Sequence, residues 1–269
     1  MTKYDYNIIV IGGGSAGLVS SYIASAVKAK VALIEKHKMG GDCLNTGCVP
    51  SKALLRSAKM ISYTKRAKEF GFKKTTVDFD FKDVMKRVQN IIKIIEPHDS
   101  RKRYTALGVE CIEGEAKILS PHNVEVNGIT LTARSIIIAT GAKPLVPNIP
   151  GLDQINYLTS DNVWDLKELP KKLLVLGGGP IGAEMAQAFS RLGAEVTVVE
   201  IAPQILIRED EEVIELVTER FVKEGIKVLI SHKAKEFKNN MLICEYKSKD
   251  ISIPFDKVII ALGRKANTE

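Results

Sequence analysis

The apolar positions of this chain come in two similar series. An uninterrupted, β-branched-rich run at residues 6–11 predicts a strand buried on both faces. Glycines follow at 12, 13, 14 and 17, and over residues 15–28 the apolar spacing becomes that of a helix. A second apolar run at 30–35 completes a βαβ unit. The same order returns later, with a strand at 172–176, a glycine turn at 177–182, a helix at 181–192 and a strand at 195–200.

Between the two series, helical spacing covers residues 50–68, beginning at a proline, and 81–107, where Pro97 is predicted to kink or interrupt the helix. Residues 109–131 form short alternating segments broken by Gly114, Pro121 and Asn127-Gly128, which predicts a β-meander with hairpins. A buried strand at 135–140 ends in Thr140-Gly141. Pro144, Pro147 and Pro150 can continue neither a helix nor a central strand, so 143–151 reads as a linker. Beyond the second βαβ unit come a helix at 211–224, a strand at 227–230, a hairpin-like stretch at 235–254 and a last strand at 257–262. The expected fold is α/β: two Rossmann-like three-layer units, the first with a β-meander and a helical insertion, bounded at 1–146 and 147–269.

Composition narrows the options further. The chain has 269 residues, 45% of them apolar, enough for two cores, and a net charge of +7. Its lysines are scattered, which suits a solvated basic surface tolerant of anionic ligands better than nucleic-acid binding. Residues 7–27 carry no charge and are apolar, yet the glycines interrupt them, so strand, turn and helix replace a membrane span. Four cysteines without an evident signal peptide point to a reducing compartment, the cytoplasm, where a close pair is catalytic rather than a staple.

The glycine turns are Gly12-x-Gly14-x-x-Gly17 and Gly177-x-Gly179-x-x-Gly182. In such a loop the first glycine permits the turn, the second lets backbone approach a pyrophosphate and the third lets helix pack on strand. The following helix presents N–H groups and a positive dipole end to the phosphates. Glu35 and Glu200 end the second strands, where a carboxylate accepts from a ribose diol. One loop alone is weak evidence; two complete fingerprints in one chain predict two dinucleotide sites. At the second, Glu200 is followed by Ile201 and Ala202, with no basic residue until Arg208, which favours NAD(H) over NADP(H).

Just past the first βαβ unit lies Gly40-Gly41-Asp42-Cys43-Leu44-Asn45-Thr46-Gly47-Cys48-Val49-Pro50-Ser51-Lys52. Cys43 and Cys48 are close enough to form a small, easily reduced ring if the chain loops back. Cys48 precedes a helix start, and the dipole there together with Lys52 would favour its thiolate. Zinc ligation and inert thiols are the alternatives. Cys111, Cys244, His37, His98, His122 and His232 are scattered, which argues against a four-ligand metal site.

The run 40–52, together with both loops, resembles class I pyridine nucleotide-disulphide oxidoreductases such as dihydrolipoamide dehydrogenase, glutathione reductase and mercuric reductase. The resemblance covers the whole chain. It implies FAD at the first loop, touching Gly12, Gly14, Ser15, Ala16, Gly17, Glu35, Lys36, Gly41, Asp42, Lys52, Ala116, Thr140 and Gly141. It implies NAD(H) at the second, touching Gly177, Gly179, Ile181, Gly182, Glu200, Ala234 and Gly263. Electrons would pass from NADH through FAD to a redox-active disulfide Cys43–Cys48, with Cys48 on the flavin side and Cys43 toward a disulfide, dithiol or metal-ion substrate, small or protein-bound. Glu184 would pair with Lys52 near the flavin. Asp42 replaces the threonine common in the family, as in mercuric-reductase-like members, and is expected to raise the pKa of Cys43. The family continues into a second FAD segment and a dimerisation domain that carries a His–Glu pair and makes the homodimer. The resemblance therefore implies that this chain stops short of both and is weak or inactive alone. The alternative expectation is a fragment that binds NAD(H) without turnover.

Overall fold

The computed structural model describes residues 4–73 and 75–269. From the N-terminus the elements are β1 (Tyr6–Ile11), α1 (Ser15–Ala26), β2 (Val31–Glu35), α2 (Gly41–Asn45), α3 (Cys48–Lys65), α4 (Phe81–Ile95), α5 (Arg101–Ala106), β3 (Val109–Glu113), β4 (Ala116–Ser120), β5 (Asn123–Val126) and β6 (Ile129–Ile138). The chain forms two compact units. The first comprises the described parts of Met1–Pro50, Asn90–Lys143 and Ala266–Glu269; the second comprises those of Ser51–Gln89 and Pro144–Lys265. The divisions in the helical region fall within α3 and α4.

The first unit is built on a six-stranded sheet in the order β3-β2-β1-β6-β5-β4. Strands β3, β2 and β1 run parallel. Strand β6 pairs antiparallel with β5 through Ile129–Thr132, then parallel with β1 through Ala133–Ile138. Alternation along the strands feeds two core layers, since successive side chains leave opposite faces. Ile9, Ile11, Ala32, Ile34, Val124 and Val126 pack on one face. Val10, Leu18, Leu33, Tyr104 and Val109 pack on the other.

Three expectations need correction here. The strand at 109–113 does not belong to the meander; β3 is the parallel edge of the main sheet, paired residue for residue with β2. The meander and the strand at 135–140 are not separate either. Residues 132–134 lie between the two expected segments, yet β6 runs straight through them because it changes partner at Ala133. Finally, the long helix at 81–107 is three pieces: α4, a single 3-10 turn at Glu96–Asp99 containing Pro97, and α5. Ser100 caps α5 by accepting from the Arg103 N–H at 3.3 Å.

Continuing, β7 (Ala142–Pro144) leads into the second unit, which holds β8 (Lys172–Leu176), α6 (Pro180–Leu192), β9 (Glu195–Val199), α7 (Glu211–Lys223), β10 (Lys227–Leu229), β11 (Lys233–Lys238), β12 (Met241–Tyr246), β13 (Lys249–Pro254) and β14 (Lys257–Ile260), then β15 (Arg264–Ala266). A parallel sheet, β10-β9-β8-β14, is accompanied by the antiparallel sheet β11-β12-β13. The hairpin expected at 235–254 is thus three strands. Leu174, Leu176, Val199, Phe237, Leu242 and Cys244 share its core.

The helices that follow the two glycine loops are dressed differently. Helix α6 buries Met185, Ala186, Ala188, Phe189 and Leu192, with Phe189 against Phe81 at 5.9 Å between ring centroids. Helix α1 buries Gly17, Leu18, Ser21 and Ala24 but leaves Val19, Tyr22, Ile23 and Val27 exposed, at the spacing of one helical face.

Candidate functional site

The two glycine loops superimpose in their bonding. Gly12 donates its N–H to the Ile34 carbonyl at 2.8 Å, and Gly177 donates to Val199 at 2.8 Å. Both have a left-handed backbone, φ +107° and +110°, and a side chain at either would strike a carbonyl, that of Ala139 or Ala261. Gly17 and Gly182 lie against the carbonyls of Gly12 and Gly177, which leaves no room for a Cβ. The middle glycines behave otherwise. A Cβ on Gly14 would sit 3.6 Å from the Gly41 Cα, an ordinary contact, and one on Gly179 would meet nothing within 4 Å. Protein packing explains the outer glycines, and it does not explain the inner ones.

Each loop opens a helix that has no side-chain cap and no acid in its first turn. The first N–H groups of α1, and those that follow Pro180 in α6, are therefore without a side-chain cap. The acids ending β2 and β9 are held alike. Glu35 accepts from the Gly13 N–H at 2.6 Å and the His37 N–H at 2.7 Å. Glu200 accepts from the Gly178 N–H at 2.6 Å and the Ala202 N–H at 2.8 Å. Each carboxylate oxygen keeps a further lone pair, and its direction is fixed by backbone. Gly13 and Gly178, which donate these bonds, were given no role in the sequence reading; the signal was the middle glycine of each Gly-Gly-Gly run.

The segment after each acid folds back onto the loop. Gly40 donates its N–H to the Gly13 carbonyl at 2.8 Å, and Leu206 donates to the Gly178 carbonyl at 2.8 Å. Both are left-handed, φ +88° and +52°. In the first unit the return continues into α2, whose opening residue Gly41 would collide with Gly14 if it carried a Cβ, at 2.6 Å. Helix α2, a single turn that periodicity could not reveal, thus seats Cys43 directly beside the first glycine loop.

Cys43 is half-buried, Cys48 is exposed, and neither is in a disulfide. Burial chiefly pushes the Cys43 thiol up, reinforced by the Cys48 thiol that hydrogen-bonds it and by the charge of Asp99, and opposed by a hydrogen bond with Ser15. The expected direction holds but not the expected cause: the carboxylate acting on Cys43 is Asp99, not the adjacent Asp42. Cys48 is the first residue of α3, two positions earlier than the proline start suggested.

The other candidate residues are placed as follows. Ser15 and Ala16 open α1, and Ile181 lies in the first turn of α6. Lys36 pairs with Glu115 at 3.2 Å on the surface. Ala116 opens β4 and faces Val126 across the ladder. Thr140 donates to the Asn267 carbonyl at 2.6 Å, and Asn267 donates to the carbonyls of Thr140 and Gly141, so the end of that strand is tied to residue 267, which sequence reasoning did not single out. Lys52 belongs to the second compact unit, where its Nζ lies 2.6 Å from Glu184 Oε1. Ala234 packs against the core of that unit. Gly263, φ +107°, accepts from the Leu145 N–H at 2.9 Å. Among the described residues no group of three or more His, Cys, Asp or Glu side chains could hold a metal ion, and no helix is long and apolar enough to cross a membrane.

Comparison with known proteins gives a consistent result. Residues 6–269 match the family described as pyridine nucleotide-disulphide oxidoreductase. A mercuric reductase of Bacillus cereus is 36% identical over 267 residues, covering 98% of this chain and 42% of the relative. A dihydrolipoyl dehydrogenase of Mycoplasma genitalium is 35% identical over 271 residues, covering 98% and 59%. The solved structure of the HOCl-induced flavoprotein disulfide reductase RclA from Escherichia coli is similar with a TM-score of 0.81 and 27% identity, over 98% of this chain and 58% of that one. The chain spans about half the length of the curated relatives it matches.

Proposed function

We propose, for a chain that belongs to the pyridine nucleotide-disulphide oxidoreductase family, that it takes part in electron transfer from NADH through FAD to the cysteine pair Cys43 and Cys48. The observation that carries this reading is the seating of α2 on the first phosphate loop, Gly41 against Gly14. One unit thereby joins a dinucleotide-type loop to two neighbouring thiols.

The residues fit the two cofactors. Gly12, Gly14 and Gly17 with the uncapped start of α1 would hold the FAD pyrophosphate, and Glu35 its ribose. Gly177, Gly179 and Gly182 with α6 would hold NAD(H), with Glu200 on the ribose. FAD, when bound, supplies the exchange of an electron pair between a nicotinamide and a dithiol. The protein's part is to bind, to orient and to accept. The fixed Glu200 carboxylate repels a 2′-phosphate, which favours NADH over NADPH. Cys48, the exposed thiol, is the one available to an apposed ring. Cys43, half-buried, is the partner that exchanges with substrate, as the resemblance implies, and does so as its thiolate. In the oxidised state the pair is a Cys43–Cys48 disulfide, and two electrons with two protons restore both thiols. Lys52 and Glu184, already paired, would stand near the flavin, as the resemblance implies. The substrate class is a disulfide, a dithiol or a metal ion, as in the names of the relatives. The homodimer expected from the resemblance belongs to the same reading.

The test is spectroscopic. The purified chain is expected to be yellow, to lose its flavin absorbance when titrated with NADH under nitrogen, and to show one dithiol per chain that Cys43→Ser or Cys48→Ser removes. A colourless protein that still binds NADH would reduce the reading to a nucleotide-binding module, and one that binds neither would overturn it.

A further inference from the structure

Lysines occur throughout the chain, but its excess of positive charge does not. Residues 52–87 hold eleven lysines and arginines against four acids, a net charge of +7, so the remaining 233 residues are neutral overall. This stretch spans most of α3, the start of α4 and the connection between them. Its phenylalanines also differ from those elsewhere. Of the eight in the chain, Phe81, Phe189, Phe221, Phe237 and Phe255 are buried. The other three, Phe70, Phe72 and Phe79, are 53%, 62% and 37% exposed, and all lie within one run of ten residues.

The connection is built as a tip. A 3-10 turn, Ala67–Phe70, ends in Gly71, which is left-handed at φ +83° and has open space where a Cβ would stand. Phe70 and Phe72 flank it. Phe70 meets the Tyr63 ring edge to face at 5.6 Å and lies under the Arg66 guanidinium at 5.9 Å. Thr75 ties the returning chain to α3 by donating to the Thr64 carbonyl at 3.1 Å. Lys59, Lys65, Lys68, Lys73 and Lys82 are exposed along the same connection and the helix ends it joins. Exposed rings forgo the gain of burial, and three in one short run call for an occupant. Charge decides among the candidates. Two copies meeting tip to tip would set one positive surplus against another. Nucleic acid would suit the lysines but stacks on open ring faces, and Phe70 is already engaged by Tyr63 and Arg66. An anionic lipid surface suits both groups: phosphates meet the lysines, and the rings enter the boundary between headgroups and acyl chains.

We propose that the connection between α3 and α4 is a membrane-surface docking site, which inserts Phe70 and Phe72 among anionic lipids and sets Lys68 and Lys73 at the headgroup phosphates. The attachment is peripheral and reversible, through a few side chains rather than a span. It is independent of the nucleotide assignments: a chain that binds neither FAD nor NADH leaves it standing.

The experiment is co-sedimentation of the full chain with phosphatidylcholine vesicles, with and without one-third phosphatidylglycerol, alongside thermal melting. The chain is expected to pellet with the anionic vesicles and to stay in solution with the neutral ones. Phe70→Ser/Phe72→Ser and Lys68→Gln/Lys73→Gln are each expected to weaken that partition roughly tenfold at an unchanged melting temperature. Ile118→Ser/Leu119→Ser, at exposed apolar residues of β4, is expected to change neither. Wild-type partition in the phenylalanine variant overturns the proposal, as does a chain that ignores anionic vesicles. Single-stranded DNA held more tightly than the vesicles, or a dimer in lipid-free buffer that the phenylalanine variant dissociates, assigns the tip to that other occupant and overturns it too. Should the phenylalanine variant melt early, the lysine variant gives the decision, and wild-type partition there counts against the site.

Discussion

The two glycine loops share these scaffold bonds: a left-handed first glycine under a strand-end carbonyl, a third glycine against the first, and an acid clasped by the residue after the first glycine, Gly13 or Gly178, and by the backbone just beyond itself. They part at the return segment. In the first unit Gly40-Gly41 lets a helical turn approach so closely that two cysteines are delivered to the loop. In the second, Ile205-Leu206-Ile207 closes the same turn with aliphatic side chains. The frame is repeated, and a few residues after the acid decide whether the copy is also joined to a cysteine pair.

The comparison is broken most forcefully at the third glycines. Gly17→Ala and Gly182→Ala each drive a methyl into a backbone carbonyl that cannot withdraw without moving a strand end. Each is expected to cost more than ~3 kcal/mol in urea unfolding, with the effect read in its own unit. Gly14→Ala and Gly179→Ala are the matched controls. Their methyls meet ordinary contact or open space, so stability should change by less than ~1 kcal/mol while nucleotide affinity falls. If the inner and outer substitutions destabilise equally, the division of labour between packing and ligand is wrong.

Next is the dressing of the first helices. Phe189→Ala in α6 empties a fully buried site against Phe81 and is expected to cost ~3 kcal/mol. Ile23→Ala in α1 removes a side chain that is 54% exposed and should cost under ~1 kcal/mol by the same measurement.

These contrasts were legible to different degrees before any coordinates. Both βαβ units were plain because periodicity, glycine spacing and terminal acids agreed over long segments. The cysteine pair was plain because its run is so specific. The meander was misread at both ends, since β6 changes partner at Ala133 where no residue type signals it, and β3 has the same alternation whether it joins a hairpin or a parallel edge. Asp99 and Asn267 escaped because each acts across a long loop: one on a thiol that burial already governs, the other on a strand end far away in sequence. The left-handed turn at Leu206 was invisible because leucine carries no turn signature.

A smaller effect separates the units by pH. Cys244, fully buried in the second core, has its thiol pushed up to about 11 from an ordinary 9.0 by burial alone. The folded chain therefore holds a proton that the unfolded chain releases between those values. The associated stability is complete below about pH 9 and is lost as pH rises toward 11, by at most ~1.4 kcal/mol per pH unit. Cys244→Ala is expected to flatten that slope in urea titrations from pH 8.5 to 10.5. An unchanged slope assigns the alkaline loss to other groups.

The smallest expected change in stability is at Lys52, and there smallness is informative. Its bond to Glu184 is short, 2.6 Å, but the two side chains are 62% and 36% exposed. Water and salt screen such a pair, and the cost of fixing a long lysine chain offsets much of what remains, so Lys52→Met should move urea stability by less than ~1 kcal/mol. A pair that contributes so little to the fold has no structural reason to be so well aligned. If its charge serves NADH oxidation, Lys52→Met and Glu184→Gln should both slow the anaerobic loss of flavin absorbance at least ~10-fold while leaving the melting temperature in place. Stability lost in step with that rate would make the pair a structural brace. A rate that survives both substitutions would leave electron transfer to the loops and the cysteines alone.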